Sequence, residues 1–239
     1  MTGGAGGIGS AVSRVLAEAG FRVVVGFGRS RERAEALAAE LPGALALAAD
    51  VTDSAALGRL AADVERELGG CDVLVNGAGV TRFVAHGDLD ALDDELIDTI
   101  FRTNVRGAFA AVRALRPLLE RSELPGGGVV VNISSIAAVT GQGSNVAYCA
   151  SKAALDSLTR SLGRALAPRI RVVSVSPGVV DTGFIRSLDP AWRNDQLART
   201  PLGRLAAPDE VAAAVLAAAR DLTFTTGSVL AVDGGRPLG

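Results

Sequence analysis

Short, nearly continuous apolar runs alternate along this chain with longer segments whose apolar positions recur at helical spacing. The runs FRVVV (21–25), ALALAA (44–49), DVLV (72–75), GVVVNI (128–133), IRVVSV (170–175) and SVLAVD (228–233) read as strands. Strands without a polar face are those of a parallel sheet covered on both sides. Between them the spacing predicts helices over 9–19, 30–41, 54–68, 93–121, 147–167 and 208–221. Several open on capping residues: Ser30, Ser54 and Pro208-Asp209. Alternating strands and helices call for an α/β doubly wound sheet in three layers with right-handed crossovers. No repeat, linker or composition break interrupts the pattern, so 1–239 is expected to form one domain.

A glycine-rich segment, TGGAGGIG, spans Thr2 to Gly9 and leads into the helical pattern at 9–19. Glycines let a backbone turn sharply and approach a pyrophosphate, while a helix N-terminus presents unpaired N–H groups to the anion. A phosphate loop of the Gly-Lys-Ser/Thr kind is excluded, because the single lysine lies far away at 152. Dinucleotide folds place a buried strand before such a turn, yet Met1 stands directly before Thr2. Burying five or six strand side chains amounts to roughly 10 kcal/mol of gross stabilisation, so the expectation is that the native chain begins upstream and that this sequence lacks the usual first strand.

About twenty residues past Gly9 an NAD site would carry an acid for the ribose hydroxyl. Here the segment is GFGRSRER, with Arg29, Ser30 and Arg31 in that region. A guanidinium suits a 2′-phosphate through charge-assisted, bidentate hydrogen bonds. NADP(H) is therefore favoured, with NAD(H) as the alternative.

Composition narrows the classes further. Of 239 residues 49% are hydrophobic, enough for a large core, and 29 glycines allow many tight turns. A net charge of −2 with scattered arginines argues against nucleic acid or an anionic membrane as partner. Cys71 and Cys149 sit in neither a disulfide nor a metal pattern, and the lone His86 has no ligand cluster around it, so no metal is expected. No apolar run reaches membrane-spanning length and the N-terminus lacks signal-peptide character, so a cytoplasmic protein is expected.

One departure from the composition points to chemistry. Twenty-three of the 24 cationic side chains are arginine; the one lysine, Lys152, lies four residues after the only tyrosine, Tyr148. On a helix these project to one face. A phenol titrates near pH ~10, and a neighbouring ammonium is expected to lower that value into acid–base range.

The chain resembles the short-chain dehydrogenase/reductase family nearly end to end. The resemblance rests on Thr2–Gly9, Asp50-Val51, Asn76-Gly77-Ala78-Gly79, Asn104 in TNVRGAF, Ser135 in NISSIAA, Tyr148, Lys152, Pro177-Gly178, Thr182 and the ending VLAVDGG. It implies a Rossmann-type fold with Asn104, Ser135, Tyr148 and Lys152 as the catalytic set. It also implies cofactor contacts from Gly3, Gly7, Ile8, Gly9, Arg29, Ser30, Asp50, Val51, Asn76, Ala78, Gly79, Tyr148, Lys152, Pro177, Gly178, Val180 and Thr182. Gly77 departs from the family, which has a second asparagine there.

The activity so implied is hydride transfer from a nicotinamide to a substrate carbonyl. Tyr148 would give the proton, Ser135 a hydrogen bond, Lys152 would grip the ribose and Asn104 would hold a relay water. Specificity is expected in 183–207, with Phe184, Ile185, Leu188 and Trp192 as pocket walls. The segment TPLGRLAAPDEVAAAVLAAA is similar to 3-oxoacyl-[acyl-carrier-protein] reductases, which makes a 3-oxoacyl thioester the leading substrate and raises a carrier protein as partner, met by Arg102, Arg106 or Arg193. Alternatives are a dehydrogenase of a small secondary alcohol, sugar or steroid, and a silent dinucleotide sensor, against which the complete catalytic set argues. The family resemblance also implies a homotetramer, or a dimer, through 93–121, 147–167 and 228–233.

Overall fold

In the computed structural model, which describes residues 1–238, the strands and helices alternate as the pattern predicts. A four-stranded parallel sheet has the order β3–β4–β5–β6, from Val73–Asn76, Gly128–Ile133, Ile170–Pro177 and Val229–Val232. A parallel pair, β1 (Val24–Phe27) and β2 (Leu45–Ala48), continues it on the β3 side. Every residue of β4 and β5 is buried, as central strands covered on both faces require. Arg171 survives inside β5 because its guanidinium donates to the carbonyls of Ala218, Ala219 and Leu222 at the end of α10 (Pro208–Arg220). Those carbonyls have no partner within their own helix, so the arginine caps it.

Met1 and Thr2 sit between the two sheet pieces and bond to both. Thr2 N–H donates to Val75 O (3.0 Å), and Gly26 N–H donates to Met1 O (2.8 Å). The Met1 ammonium donates to Val24 O at 2.8 Å and is buried, which lowers its pKa by desolvation. The expected first strand is thus represented by two residues. Below them a cleft of about 820 Å³ opens between β1 and β3, walled by Leu16, Val23, Leu60, Val64, Leu74 and Leu115.

Helices cover both faces. One core cluster joins α1 (Gly7–Glu18), α2 (Arg31–Glu40) and α10 to the sheet; the other joins it to α3 (Ser54–Leu68) and α5 (Ala108–Leu119). Three local expectations need correction. β1 lies two to three residues later than 21–25, because its register is set by Val24↔Leu45 through Phe27↔Ala48. The α3 cap is Asp53, whose carboxylate accepts from Ala55 N at 2.8 Å, and not Ser54. The helix predicted over 93–121 is α4 (Asp94–Phe101), a π-helical turn at Arg102–Gly107, and then α5.

Candidate active site

The first turn of α1 is built to face an anion. Its cap residue is Gly6, with no side-chain cap and no acidic residue in the first turn, so its N–H groups are left for a ligand. Gly3 has φ +65°, and a Cβ there would lie 2.8 Å from Gly77 O. A Cβ on Gly9 would lie 2.1 Å from Gly3 O, so the turn closes only with glycine at both places. Thr2 Oγ1 holds the facing loop by accepting from the N–H groups of Gly77 and Ala78, each at 3.2 Å. Gly77, the departure from the family pattern, lies against the Met1 side chain: a Cβ would meet Met1 Cε at 2.6 Å and Thr2 O at 2.9 Å.

A cavity of about 840 Å³ runs from this turn across the carboxyl ends of the strands, where open α/β sheets bind their ligands. Gly3, Gly7, Ile8, Gly9, Gly79, Ser135, Tyr148, Lys152, Pro177, Gly178, Val180 and Thr182 all line it. Tyr148 and Lys152 lie in α7 (Val146–Ala165), whose cap Asn145 accepts from Tyr148 N at 2.7 Å and fixes where the phenol enters. Gly178 lies against Asp233, where a Cβ would be 3.0 Å away. Thr182 caps α8 (Gly183–Arg186) and touches the glycine turn: a Cβ on Gly7 would be 2.7 Å from Thr182 Cγ2.

Other expected residues lie elsewhere. Arg29, Ser30, Asp50 and Val51 stand beyond the ends of β1 and β2, outside the main cavity. Arg29 is exposed and makes no hydrogen bond or ion pair among the described residues, whereas Arg31 pairs with Glu35 at 2.7 Å and Arg33 donates to Ser30 Oγ at 2.5 Å. Asp50 accepts from Thr52 N–H and Oγ1, which with Arg29 nearby holds its carboxyl below the ordinary range. Val51 is buried and touches the π turn, where a Cβ on Gly107 would lie 2.7 Å from Val51 Cγ2. The Asn76 side chain turns inward, donating to Asn132 Oδ1 (2.9 Å) in a buried chain that continues to Thr159. It is a member of the core network and not of the cavity wall.

Asn104 sits on the π turn, a device frequent at functional sites. Its amide is bound to Val80 N–H and C=O at 2.8 and 3.1 Å, and it donates to Ser151 Oγ at 3.1 Å. Lys152 is 6% exposed and donates to Ile133 O at 2.8 Å. Burial lowers its pKa to about 8, while Asp156 one turn on favours the ammonium. The expected effect of Lys152 on the phenol is not what the geometry gives. Its Nζ lies 5.7 Å from the Tyr148 ring centre, and burial raises the Tyr148 pKa while Ser135 acts in the opposite direction. The Tyr148 phenol accordingly keeps its proton at neutral pH.

The comparisons with known proteins fall in one family. The family model described as Enoyl-(Acyl carrier protein) reductase matches residues 3–236. A Streptomyces violaceoruber protein described as ketoacyl reductase 2 of granaticin polyketide synthase is 42% identical, over 100% of this chain and 95% of its own length. The chain is a short-chain dehydrogenase/reductase. The 3-oxoacyl-[acyl-carrier-protein] reductase FabG of Thermotoga maritima is 34% identical to this dehydrogenase/reductase over 98% of the chain and 95% of its own length. A short-chain dehydrogenase/reductase structure from Burkholderia xenovorans superposes with a TM-score of 0.93 at 34% identity, covering 100% of this chain and 97% of that one.

Proteins of this oxidoreductase family use a nicotinamide dinucleotide, and the residues present fit one. The glycine turn leaves a space no Cβ occupies beside the free N–H groups of α1, which suits the pyrophosphate. Sequence reasoning missed Thr81, Phe83, Gln142 and Ser144, which line the same cavity. Their loops carry no motif by which they could have been found. Of the expected walls, Phe184, Ile185 and Trp192 line the cavity and Leu188 does not. No group of three or more His, Cys, Asp or Glu among the described residues is placed to hold a metal, and no helix among them is long and apolar enough to cross a membrane.

Proposed function

We propose that this short-chain dehydrogenase/reductase reduces a carbonyl to a secondary alcohol with NADPH, and that a 3-oxoacyl thioester is the leading substrate. The observation that carries the reading is the convergence of Ser135, Tyr148 and Lys152 with the glycine turn on one cavity. When bound, the reduced nicotinamide supplies the hydride. The chain's own groups handle the oxygen. Tyr148, kept protonated by burial, gives its proton to the carbonyl oxygen as negative charge develops there, and Ser135 Oγ donates a hydrogen bond to the same atom. Lys152, held at Ile133 O on the cavity wall, is the ammonium we assign to the nicotinamide ribose. Asn104 keeps the loop at Val80 against α7 through Ser151 and is the residue we assign to holding the relay water. Arg29, free at the end of β1, supplies the contact for a 2′-phosphate, with Ser30 and Asp50 beside it.

The names of the ketoacyl and 3-oxoacyl relatives support the substrate class. Arg106 and Arg193 are engaged within the chain, with Thr52 O at 2.7 Å and Asp181 at 3.0 Å, which leaves Arg102 as the arginine for a carrier protein. The half-exposed Phe109 on α5 supports assembly through that helix. Following NADPH and NADH consumption with ketones and 3-oxoacyl thioesters tests the reading: turnover faster with NADPH is expected, and no turnover with any carbonyl overturns it.

A further inference from the structure

Among the described residues three charged side chains lie buried: Lys152, Asp156 and Arg171. Arg171 caps a helix end and Lys152 lines the cavity, but Asp156 does neither. The chain has 26 Asp and Glu, and Asp156, 4% exposed, is the one buried acid among the described residues. Its Oδ1 has no hydrogen-bond partner among them. A carboxylate buried in this way is costly, and a neutral amide of the same shape would fill the space at less cost. Packing therefore does not explain the acid.

Its place on α7 does. Tyr148, Lys152 and Asp156 follow one another at four-residue spacing and share one stripe of the helix. Tyr148 and Lys152 line the cavity, whereas Asp156 stands one turn further on, behind the wall. Lys152 Nζ donates to Ile133 O at 2.8 Å, so the carboxylate acts on it through space. Burial drives a lysine towards the neutral amine, and Asp156 is the charge that opposes this at Lys152. Other charges stand away. On α4, which packs against α7, Asp94, Glu95 and Asp98 are exposed, as are Arg102 and Arg106 on the π turn. Arg160 and Arg164 on α7 itself are also exposed, where solvent screens them. On β5 the Arg171 guanidinium is turned to the end of α10, and β4 carries no charge. The remaining titratable groups near Lys152 on its own helix are the Tyr148 phenol and the Cys149 thiol, both shifted by burial towards their neutral forms.

We propose that Asp156 is a positioning residue of this site: its buried carboxylate keeps Lys152 an ammonium for the nicotinamide ribose and so sets the upper pH limit of the reaction. This rests on the assignment of Lys152 to the ribose, and one arm of the test is independent of that assignment. Because Lys152 is the only lysine, protein labelled with ε-13C-lysine gives a single NMR signal to titrate without cofactor. The parent midpoint is expected at about 8. Asp156→Asn keeps the shape and removes the charge, and its midpoint should fall to about 7 or below. Asp156→Glu keeps the charge and should stay near the parent. In the second arm the falling limb of kcat/KM should follow the midpoint. Asp156→Asn should then lose about fivefold at pH 8 and less than about twofold at pH 6, whereas a structural role would lower both alike. A midpoint unmoved in Asp156→Asn overturns the proposal. A midpoint that falls while the kinetic limb stays retains the electrostatic action of Asp156 and overturns the role of Lys152 at the ribose. Should Asp156→Asn not fold, Asp156→Ser removes the same charge, and a parent lysine already neutral at pH 7 would by itself reject the proposal.

Discussion

Two clefts of nearly equal volume flank the same sheet, about 840 Å³ at the strand ends and about 820 Å³ between β1 and β3. Size does not tell them apart; the chemistry of their walls does. At the strand ends a helix N-terminus, a phenol, a serine hydroxyl and a lysine converge from three separate segments. In the second cleft leucine, valine and strand backbone line the interior, the charged side chains Arg22, Asp72, Arg121, Glu123 and Arg220 stand exposed, and two titratable groups are buried. The Met1 ammonium is pushed down, and the Cys71 thiol is pushed up to about 11. A site for chemistry requires polar groups aimed at one point, and the cleft at the strand ends supplies them.

The sharpest way to break this contrast is to remove the proton donor from the first cleft. Tyr148→Phe deletes one oxygen from a phenol whose cap and helix stay in place, and kcat is expected to fall by ~10²–10⁴. Unchanged thermal unfolding alongside would show that the loss is chemical. Turnover as fast as the parent would sink the assignment of Tyr148. Next in size is the cofactor's distal end. Arg29→Ala removes an exposed guanidinium that makes no hydrogen bond or ion pair among the described residues, so stability should hold. NADPH affinity should fall about ten- to a hundredfold, from ~1.5–3 kcal/mol for a charge-assisted bond, with NADH affinity little changed. Titration calorimetry with both cofactors measures this, and an equal loss for both would assign the arginine elsewhere.

A smaller effect is expected where the glycine turn meets Thr182. In Gly7→Ala the added methyl would sit 2.7 Å from Thr182 Cγ2, a clash that costs about 1–3 kcal/mol and should weaken dinucleotide binding roughly tenfold. Adding Thr182→Ser removes the opposing methyl and keeps the hydroxyl that caps α8, but the Cβ at 182 still lies 2.8 Å away, so affinity should recover only in part in the double variant. Additive losses would show that the two residues do not share this space.

Acidity provides a further separation of the clefts. Lys152 titrates at about 8 in the folded chain against an ordinary 10.5, because burial disfavours its charge. Between those values the unfolded chain holds a proton that the folded chain has released, so this residue's contribution to stability improves as pH rises from about 8 to 10.5. Activity should move the opposite way: kcat/KM for reduction falls above about pH 8 as the ammonium is lost, while the Tyr148 pKa, raised by burial, leaves the phenol protonated there. In Lys152→Arg the charge persists, and the falling limb should shift to higher pH even as the rate drops. A limb unmoved by that change would belong to another group.

Much of this was legible in the chain because it rests on local rules. Continuous apolar runs placed the strands, and the glycine turn and the Tyr148–Lys152 spacing placed the two ends of the site within one fold. What escaped depends on tertiary contact. The pattern over 93–121 reads as one long helix, whereas a π turn carrying Asn104 separates α4 from α5, and its position was set by contacts such as those to Val80 and Ser151. The four-residue helices Ala137–Thr140 and Gly183–Arg186 are too short to show a period at all. Asn76 matches its motif, yet which way its amide points was decided by Asn132 on the neighbouring strand. Lys152 was expected to act on the phenol through proximity in the helix, but Ile133 O competes for its ammonium.

The smallest expected effect lies in the second cleft. Cys71 donates weakly to Val73 O at 3.6 Å and otherwise meets the cleft between β1 and β3. Cys71→Ala deletes one sulfur at a wall that is already open, so little packing is lost, and the stability change should stay within about 1 kcal/mol. No group in the cleft at the strand ends touches this residue, and kcat/KM should therefore stay within about twofold of the parent. Denaturant unfolding and NADPH consumption on one preparation measure both quantities. A large loss of activity without a loss of stability would mean that the two clefts are coupled, and the Thr2 N–H bond to Val75 O is one connection between them. Thr2→Ser, which keeps the hydroxyl that holds Gly77 and Ala78, would then show whether the route runs through that side chain or through the backbone.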